Sequence, residues 1–415
     1  MRVTPEIDAD AVIADLRELA DLTGDGRGAQ RLCFTATWRE ARSLLRDRLA
    51  TIGADEVAID PAGNLVARLP GADRDAPALA LGSHLDSVPD GGWLDGALGV
   101  FAALGVLSAW AGADQPPPRD IVLIDFADEE GARFGRSLFG SAAIAGHLDP
   151  AELAEATDAA GVTITDALAE NELTLAGAAG AHERGLLESL GAYLELHIEQ
   201  GPSLEAEGIS CAAVSGCAGI ERHRLSFGGQ ASHAGTTPMD MRRDAGLAAA
   251  EAALAIERIA AAHGGVGTTG TVDLAPGVIT AIAGRAEIGV DLRHPEPGPL
   301  AEMLAETLAA AAAIAEERRC GFGAEPVWRI APTAFDRDLV ARAAAACAAA
   351  GGRARPITSG ALHDAAEVAS RVPVAMVFVA SRKGISHARE EDSSNADLTA
   401  GIDAFGALAG DVLRG

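Results

Sequence analysis

Apolar positions along the chain fall into two periods. Residues 8–21 and 36–52 repeat at three and four, the spacing of a helix with one buried face, and 97–110 reads as a third helix. DPAGNLVARLPG (60–71) reads as a turn entering a short strand. Four apolar runs have strand length: PALALGSHLDSV (77–88), DIVLIDFADEE (120–130), AYLELHIEQG (192–201) and PVAMVFVAS (373–381). Near-continuous apolar strands separated by helices predict an α/β fold, a mostly parallel sheet covered by helices on both faces.

The texture changes between Val214 and Thr333. RHRLSFGG (222–229) and RAEIGVDLRH (285–294) alternate like half-exposed antiparallel strands, while Asp244–Ala262 and Pro299–Arg319 are long Ala-rich helical stretches. This pattern predicts an inserted α+β domain over 214–333, an antiparallel sheet with two helices. The first domain then comprises 1–213 and is completed by 334–415. A length of 415 residues fits two cores better than one.

Composition narrows the function classes. With 48% hydrophobic and 22% charged residues the chain can bury a large core. Its net charge of -27 repels polyanions, which argues against a nucleic-acid partner. Cys33, Cys211, Cys217, Cys320 and Cys347 form an odd, scattered set without a C-x-x-C pair, so reduced thiols and a cytoplasmic setting are expected. The start, MRVTPEIDADAVIADLREL, lacks a basic region followed by an apolar run, and no uninterrupted membrane span is expected.

Candidate chemistry gathers at the ends of the strand runs. His84 with Asp86, Glu129 with Glu130, and His197 with Glu199 each lie at or just past such an end, where open parallel sheets bind ligands. His387 follows the fourth run by six residues, and Asp95 sits in the turn GGWLDGALGV before a helix. Each residue has a plain structural reading when taken singly: Asp86 as a turn cap, Glu129 and Glu130 as an acidic pair at a helix N-terminus. Taken together, imidazoles and carboxylates without thiolate suit Zn, Mn or Co, and a carboxylate between two such sets can bridge two ions.

The motifs GSHLDSVPDGGWLDGALGV (82–100), DEEGARFG (128–135), ELHIEQGP (195–202), SHAGTTPMDMRRDA (232–245), SGALHDA (359–365) and GISHARE (384–390) together resemble the M20-type metallohydrolases. More narrowly they resemble the branch of N-carbamoyl-L-amino-acid hydrolases, allantoate amidohydrolases and β-ureidopropionases. The resemblance spans essentially the whole chain. It implies two divalent ions per subunit, with Asp95 bridging, His84 and His197 completing one ion, and Glu130 and His387 the other. It further implies Glu129 as general base, Asp86 as the partner fixing the tautomer of His84, and a homodimer formed through the inserted domain, which also closes over the metals.

For substrate, the resemblance implies a small carboxylate-bearing amide or ureido compound. His233 then polarises the scissile carbonyl, supplied across the dimer interface, and Arg293 in VDLRHPE grips the substrate carboxylate, a bidentate task suited to guanidinium. Gln200 is a further contact candidate, and His363 orients either the substrate or the groups behind the metal ligands. Around PGVITAIAG (276–284) relatives show asparagines where this chain has Gly277 and Thr280. FVASRKGISH also departs from the family pattern and places Lys383 near His387. The expected reaction is hydrolysis of an N-carbamoyl-L-amino acid to the amino acid, carbon dioxide and ammonia. Allantoate or β-ureidopropionate hydrolysis, peptide or N-acyl-amino-acid hydrolysis, and a silent metal-binding role stand as alternatives.

Overall fold

The computed structural model describes residues 5–415; the first four residues of the segment read for a leader lie outside them. The chain divides into two compact units, one running to Ser215 and resuming at Phe335–Gly415, the other Gly216–Ala334.

The large sheet of the first unit runs, neighbour to neighbour, through Cys211–Cys217, Val374–Val379, Leu190–Ile198, Ala78–His84, Ile121–Phe126, Leu65–Leu69 and Asp55–Ile59. Its four central strands pair in parallel. Cys211–Cys217 is antiparallel to its neighbour, and Leu65–Leu69 and Asp55–Ile59 extend the other side antiparallel. The expected mostly parallel sheet is therefore corrected to a mixed one. The reason is local: only five residues separate Ile59 from Leu65, enough for a hairpin but too few for a parallel crossover. The central strands are buried at every position of Ala78–His84 and Ile121–Phe126, whereas burial alternates along Leu65–Leu69.

Helices cover this sheet and their starts are encoded by side-chain caps. Asp8 caps Ala9–Thr23 by accepting from the Ala11 amide at 3.0 Å, and Ser394 caps Asn395–Arg414 through the Asp397 amide at 3.1 Å. Ala97–Ala111 is apolar nearly all round and buried accordingly. Its closest approach is at Gly99, where a Cβ would meet the Leu196 carbonyl oxygen at 2.4 Å and the Ser83 Cβ at 2.7 Å. Only glycine lets this helix lie directly on the strands that end in His84 and His197.

The second unit holds an antiparallel sheet in the order Val266–Ala275, Arg285–His294, Gly219–Gly228, Gly321–Ile330. Ala245–Ala262 and Pro297–Glu317 pack on it, burying Leu225, Phe227, Ile288 and Leu292 against Ala252, Ile256 and Met303. The expectation that no segment approaches a membrane span needs correction. Pro297–Glu317 is long and apolar enough by length and composition to cross one. Its Ala-rich make-up raises its hydropathy, while Leu300, Met303, Thr307, Ala311 and Ala315 form one stripe buried within this unit.

One ion pair in the first unit is wholly interior. Arg42 Nε lies 2.6 Å from Asp125 Oδ2, its Nη2 donates to the Asp125 carbonyl at 2.9 Å, and its Nη1 donates to the Gly63 carbonyl. The other oxygen, Asp125 Oδ1, accepts from the Leu85 amide at 2.8 Å, so the pair ties the ends of two central strands together. Arg42→Ala leaves the Asp125 carboxylate buried and unpaired, which is expected to cost about 3–5 kcal/mol. A urea titration should show a lowered midpoint with unchanged slope; a midpoint equal to wild type refutes the role.

Candidate metal centre

The parallel strands deliver their side chains to one edge. His84 is the last residue of its strand, His197 the penultimate residue of Leu190–Ile198, and Glu129 and Glu130 follow Ile121–Phe126 in a tight turn rather than starting a helix. His387 stands in a loop with left-handed backbone, φ 56°. Asp95 precedes Gly96, whose φ of 64° turns the chain into the helix Ala97–Ala111.

Asp95 is the centre of the arrangement. Its Oδ1 lies 3.2 Å from His197 Nε2 and 4.0 Å from His84 Nε2, and its Oδ2 lies 3.2 Å from His387 Nε2. Glu130 Oε2 is 3.4 Å from that same His387 nitrogen. Of three potential ligand groups among the described residues, Glu195–His197–His363 lies behind His197, and the other two are His84–Asp95–His197 and Asp95–Glu130–His387, each with its donor atoms within 4.8 Å of one another. These last two share Asp95, with one oxygen facing each group.

The donors fit divalent cations on their own chemistry. Glu130 Oε1 is buried without a hydrogen-bond partner, an arrangement that burial normally penalises. Burial also pushes the imidazole of His84 down to about 3, so it presents a neutral nitrogen, the form that binds metal. At His197 burial acts the same way, but the Asp95 carboxylate outweighs it and lifts the ring to about 9. Asp95 thus draws positive charge to the point between the two rings.

Glu129 differs from the ligand set. It belongs to none of these ligand groups, and its Oε2 is 3.7 Å from His84 Nε2. Burial, reinforced by Asp364 and Glu130, holds its carboxyl well above the usual range. A carboxylate that readily takes up a proton, beside but outside the ligand set, is suited to moving protons.

Several of the expected residues also support the site from behind. The carboxylate of Asp86 lies 3.6 Å from His84 Nδ1, and its oxygens also accept the Glu129 and Glu130 amides, each at 3.2 Å, which fixes the turn that aims those two side chains. The closer contact to His84 Nδ1 comes from the Asp86 backbone carbonyl at 3.1 Å. Gln200 Nε2 donates to Asp95 Oδ2 at 2.9 Å, while its Oε1 is buried without a hydrogen-bond partner. His363 is buried with its ring centroid 4.4 Å from that of His197 and its Nε2 3.0 Å from Ser359 Oγ, so it packs behind a ligand.

The remaining candidates belong to the second unit. His233 pairs with Ala281 across a short antiparallel bridge, and the Ala234 amide donates to the Thr280 carbonyl at 2.8 Å, which brings His233 and Thr280 together. His233 Nδ1 accepts from the Gly235 amide at 3.0 Å. That acceptor role leaves Nε2 carrying the proton in the neutral ring. Arg293 grips Asp291, with Nε–Oδ1 at 2.7 Å and Nη2–Oδ2 at 3.2 Å, and Asp291 also holds Arg222.

Sequence reasoning missed a supporting layer. Glu391 is buried and accepts from the Leu94 and Asp95 amides at 3.1 and 3.0 Å, while Ser386 Oγ bridges Glu391 Oε2 and Asp95 Oδ2. Glu195 accepts from Ser83, Tyr193 and Ala365 and underlies His197. The acid four residues after His387 was a usable signal for Glu391, and Glu195 opens the motif ELHIEQGP two residues before His197.

This fold and this edge define a class, an α/β scaffold whose polar site is built of imidazoles and carboxylates at parallel strand ends. Residues 80–411 match the model of peptidase family M20/M25/M40, and the chain belongs to that family. It is 36% identical over 377 residues to the N-carbamoyl-L-amino acid amidohydrolase of Geobacillus stearothermophilus, covering 91% of each chain. It is 32% identical to the allantoate amidohydrolase of Escherichia coli, covering 90% of each. Its structure resembles an amidase of the hydantoinase/carbamoylase family from Burkholderia multivorans with a TM-score of 0.90 and 32% identity, covering 98% of each chain.

Gly96 has no room for a side chain, since a Cβ would fall 2.4 Å from the His84 ring. Gly96→Ala is expected to fold yet hold Zn²⁺ or Mn²⁺ at least about tenfold more weakly, as metal analysis after dialysis would show. In the wild type, metal at 100 times its Kd should add about 2.7 kcal/mol per site to stability. A melting temperature indifferent to added metal and to chelator would count against the site.

Proposed function

We propose that the chain is a two-metal amidohydrolase of linear amides whose substrate is an N-carbamoyl-L-amino acid, cleaved to the amino acid, carbon dioxide and ammonia. The carrying observation is the buried Asp95 with one oxygen toward each of two imidazole groups, beside a proton-accepting Glu129 outside them. The similarity to the Geobacillus enzyme supports the choice of substrate. The Escherichia coli relative favours allantoate as the second reading.

His84, Asp95 and His197 would hold one ion, and Asp95, Glu130 and His387 the other; Zn, Mn and Co all suit these donors. When bound, a pair of such ions supplies Lewis-acid activation of a carbonyl and of water. Glu129 takes the proton from the attacking water and returns it to the departing nitrogen. Asp86 keeps Glu129 aimed by holding its amide. His233, with its Nε2 proton, donates to the scissile carbonyl, and Arg293 binds the substrate carboxylate in competition with Asp291. We further propose a homodimer, assembled through the second unit, with His233 acting across its interface. Five free cysteines, four of them buried, support a reducing, cytoplasmic setting.

Glu129→Gln keeps the shape and loses the proton carrier, so metal content should stay at the wild-type level while kcat falls about 10²–10⁴-fold. Near-native turnover would remove Glu129 from the base role. Arg293→Ala should raise KM for carboxylate-bearing substrates with little change in kcat. The assay that decides the substrate is a panel of N-carbamoyl amino acids, allantoate, β-ureidopropionate, acyl amino acids and dipeptides. Turnover of dipeptides alone sinks the carbamoyl reading, and silence across the panel favours a non-catalytic binding protein.

A further inference from the structure

A cavity of about 560 Å³ opens in the first unit between the helix Ala36–Thr51 and the turn at 170–173. That volume lies within the range of small-molecule sites. Trp38, Ile59 and Leu173 form its apolar walls. Arg39 and Arg46, two turns apart on one helix face, line one side, and Glu170 and Glu172 come from the turn.

These charges are unspent. Among the described residues Arg46, Glu170 and Glu172 pair with no opposite charge, and Arg39 donates only to Asn171 Oδ1, at 3.0 Å. The walls that carry them are held in place. Asn171 Nδ2 donates to the carbonyls of Phe34 at 3.2 Å and Ala167 at 2.7 Å, which pins the turn against the start of the helix. Arg42, between Arg39 and Arg46, stacks 3.8 Å above the Trp38 ring and is locked to Asp125. The cavity therefore borders the ion pair that joins the strand ends beneath His84 and Glu129.

A simple anion would meet the guanidiniums but also the carboxylates, and a simple cation would meet the reverse. We propose that this cavity is a second ligand site for a free α-amino acid with an apolar or aromatic side chain. The ligand's carboxylate binds Arg39 and Arg46, its ammonium binds Glu170 and Glu172, and its side chain lies on Trp38 and Leu173. The assignment rests on the lining alone and does not depend on the reaction proposed above.

Equilibrium dialysis of the full chain against labelled L-phenylalanine tests it. Saturable binding is expected in the metal-loaded protein and again after chelation, which separates this site from the metal centre. Arg46→Ala and Glu170→Gln, both at exposed positions, should each weaken binding at least about tenfold, a difference of about 1.4 kcal/mol. Ser43→Trp, which fills the cavity without altering a charge, should abolish it. 3-Phenylpropionate and phenethylamine, each lacking one of the two charges, should bind at least about tenfold more weakly than L-phenylalanine. Binding that vanishes with the metal, survives all three substitutions, or is equalled by either single-charge analogue overturns the proposal. So does the lack of any saturable binding up to about 10 mM, a concentration beyond useful affinity for a ligand site.

Discussion

The constraint on which the first unit depends is the burial of several carboxylates at and behind one sheet edge. Each must be satisfied or held protonated, since an ionised group taken out of water is costly unless paired. The chain answers differently at each one. Asp125 takes an arginine, Asp86 takes two backbone amides, Glu391 takes two more, and Asp95 takes imidazoles. Glu129 and Glu130 meet imidazoles only at 3.7 and 3.4 Å, and burial lifts both carboxyls well above the usual range. At the strand-end edge, both therefore suit a cation or a proton. Function and electrostatic strain coincide there, as expected of a site that does chemistry.

The scaffold serves that concentration of charge. Parallel pairing of four buried strands ends them at one edge, and the hairpin at one flank with the antiparallel strand at the other closes the sheet without adding to that edge. The helix Ala97–Ala111 presses on the strands through Gly99, and its entry at Gly96 sets Asp95 against His84 and His197. Packing and ligand geometry are thus one problem at these two glycines. Arg42 adds a brace from outside the site, since Asp125 shares its oxygens between that guanidinium and the Leu85 amide beside His84.

Part of this was legible in the linear chain. The central strands announced themselves because burial on both faces demands continuous apolar residues, and the long helices because their apolar positions repeat at helical spacing. Side chains at strand ends could be grouped into one site because parallel strands share a direction. Roles resting on side-chain orientation were less accessible. The sequence places Asp86 two residues from His84, but only the folded turn reveals that its carboxylate also serves the Glu129 and Glu130 amides. Gln200 sits in a family-like motif, yet its hydrogen bond to Asp95 makes it part of the support.

What the sequence determined by itself is the set of elements and the inventory of imidazoles and carboxylates at their ends, because periodicity and spacing are local properties. The tertiary structure alone decided that one oxygen of Asp95 faces His197 and the other His387, residues 102 and 292 positions further along the chain. It also decided that Glu391 and Glu195 stand behind them and that Arg39 and Arg46 look across a cavity at Glu170 and Glu172. Those relations depend on distances between segments remote in sequence, set by how strands pair and how closely a helix can approach them.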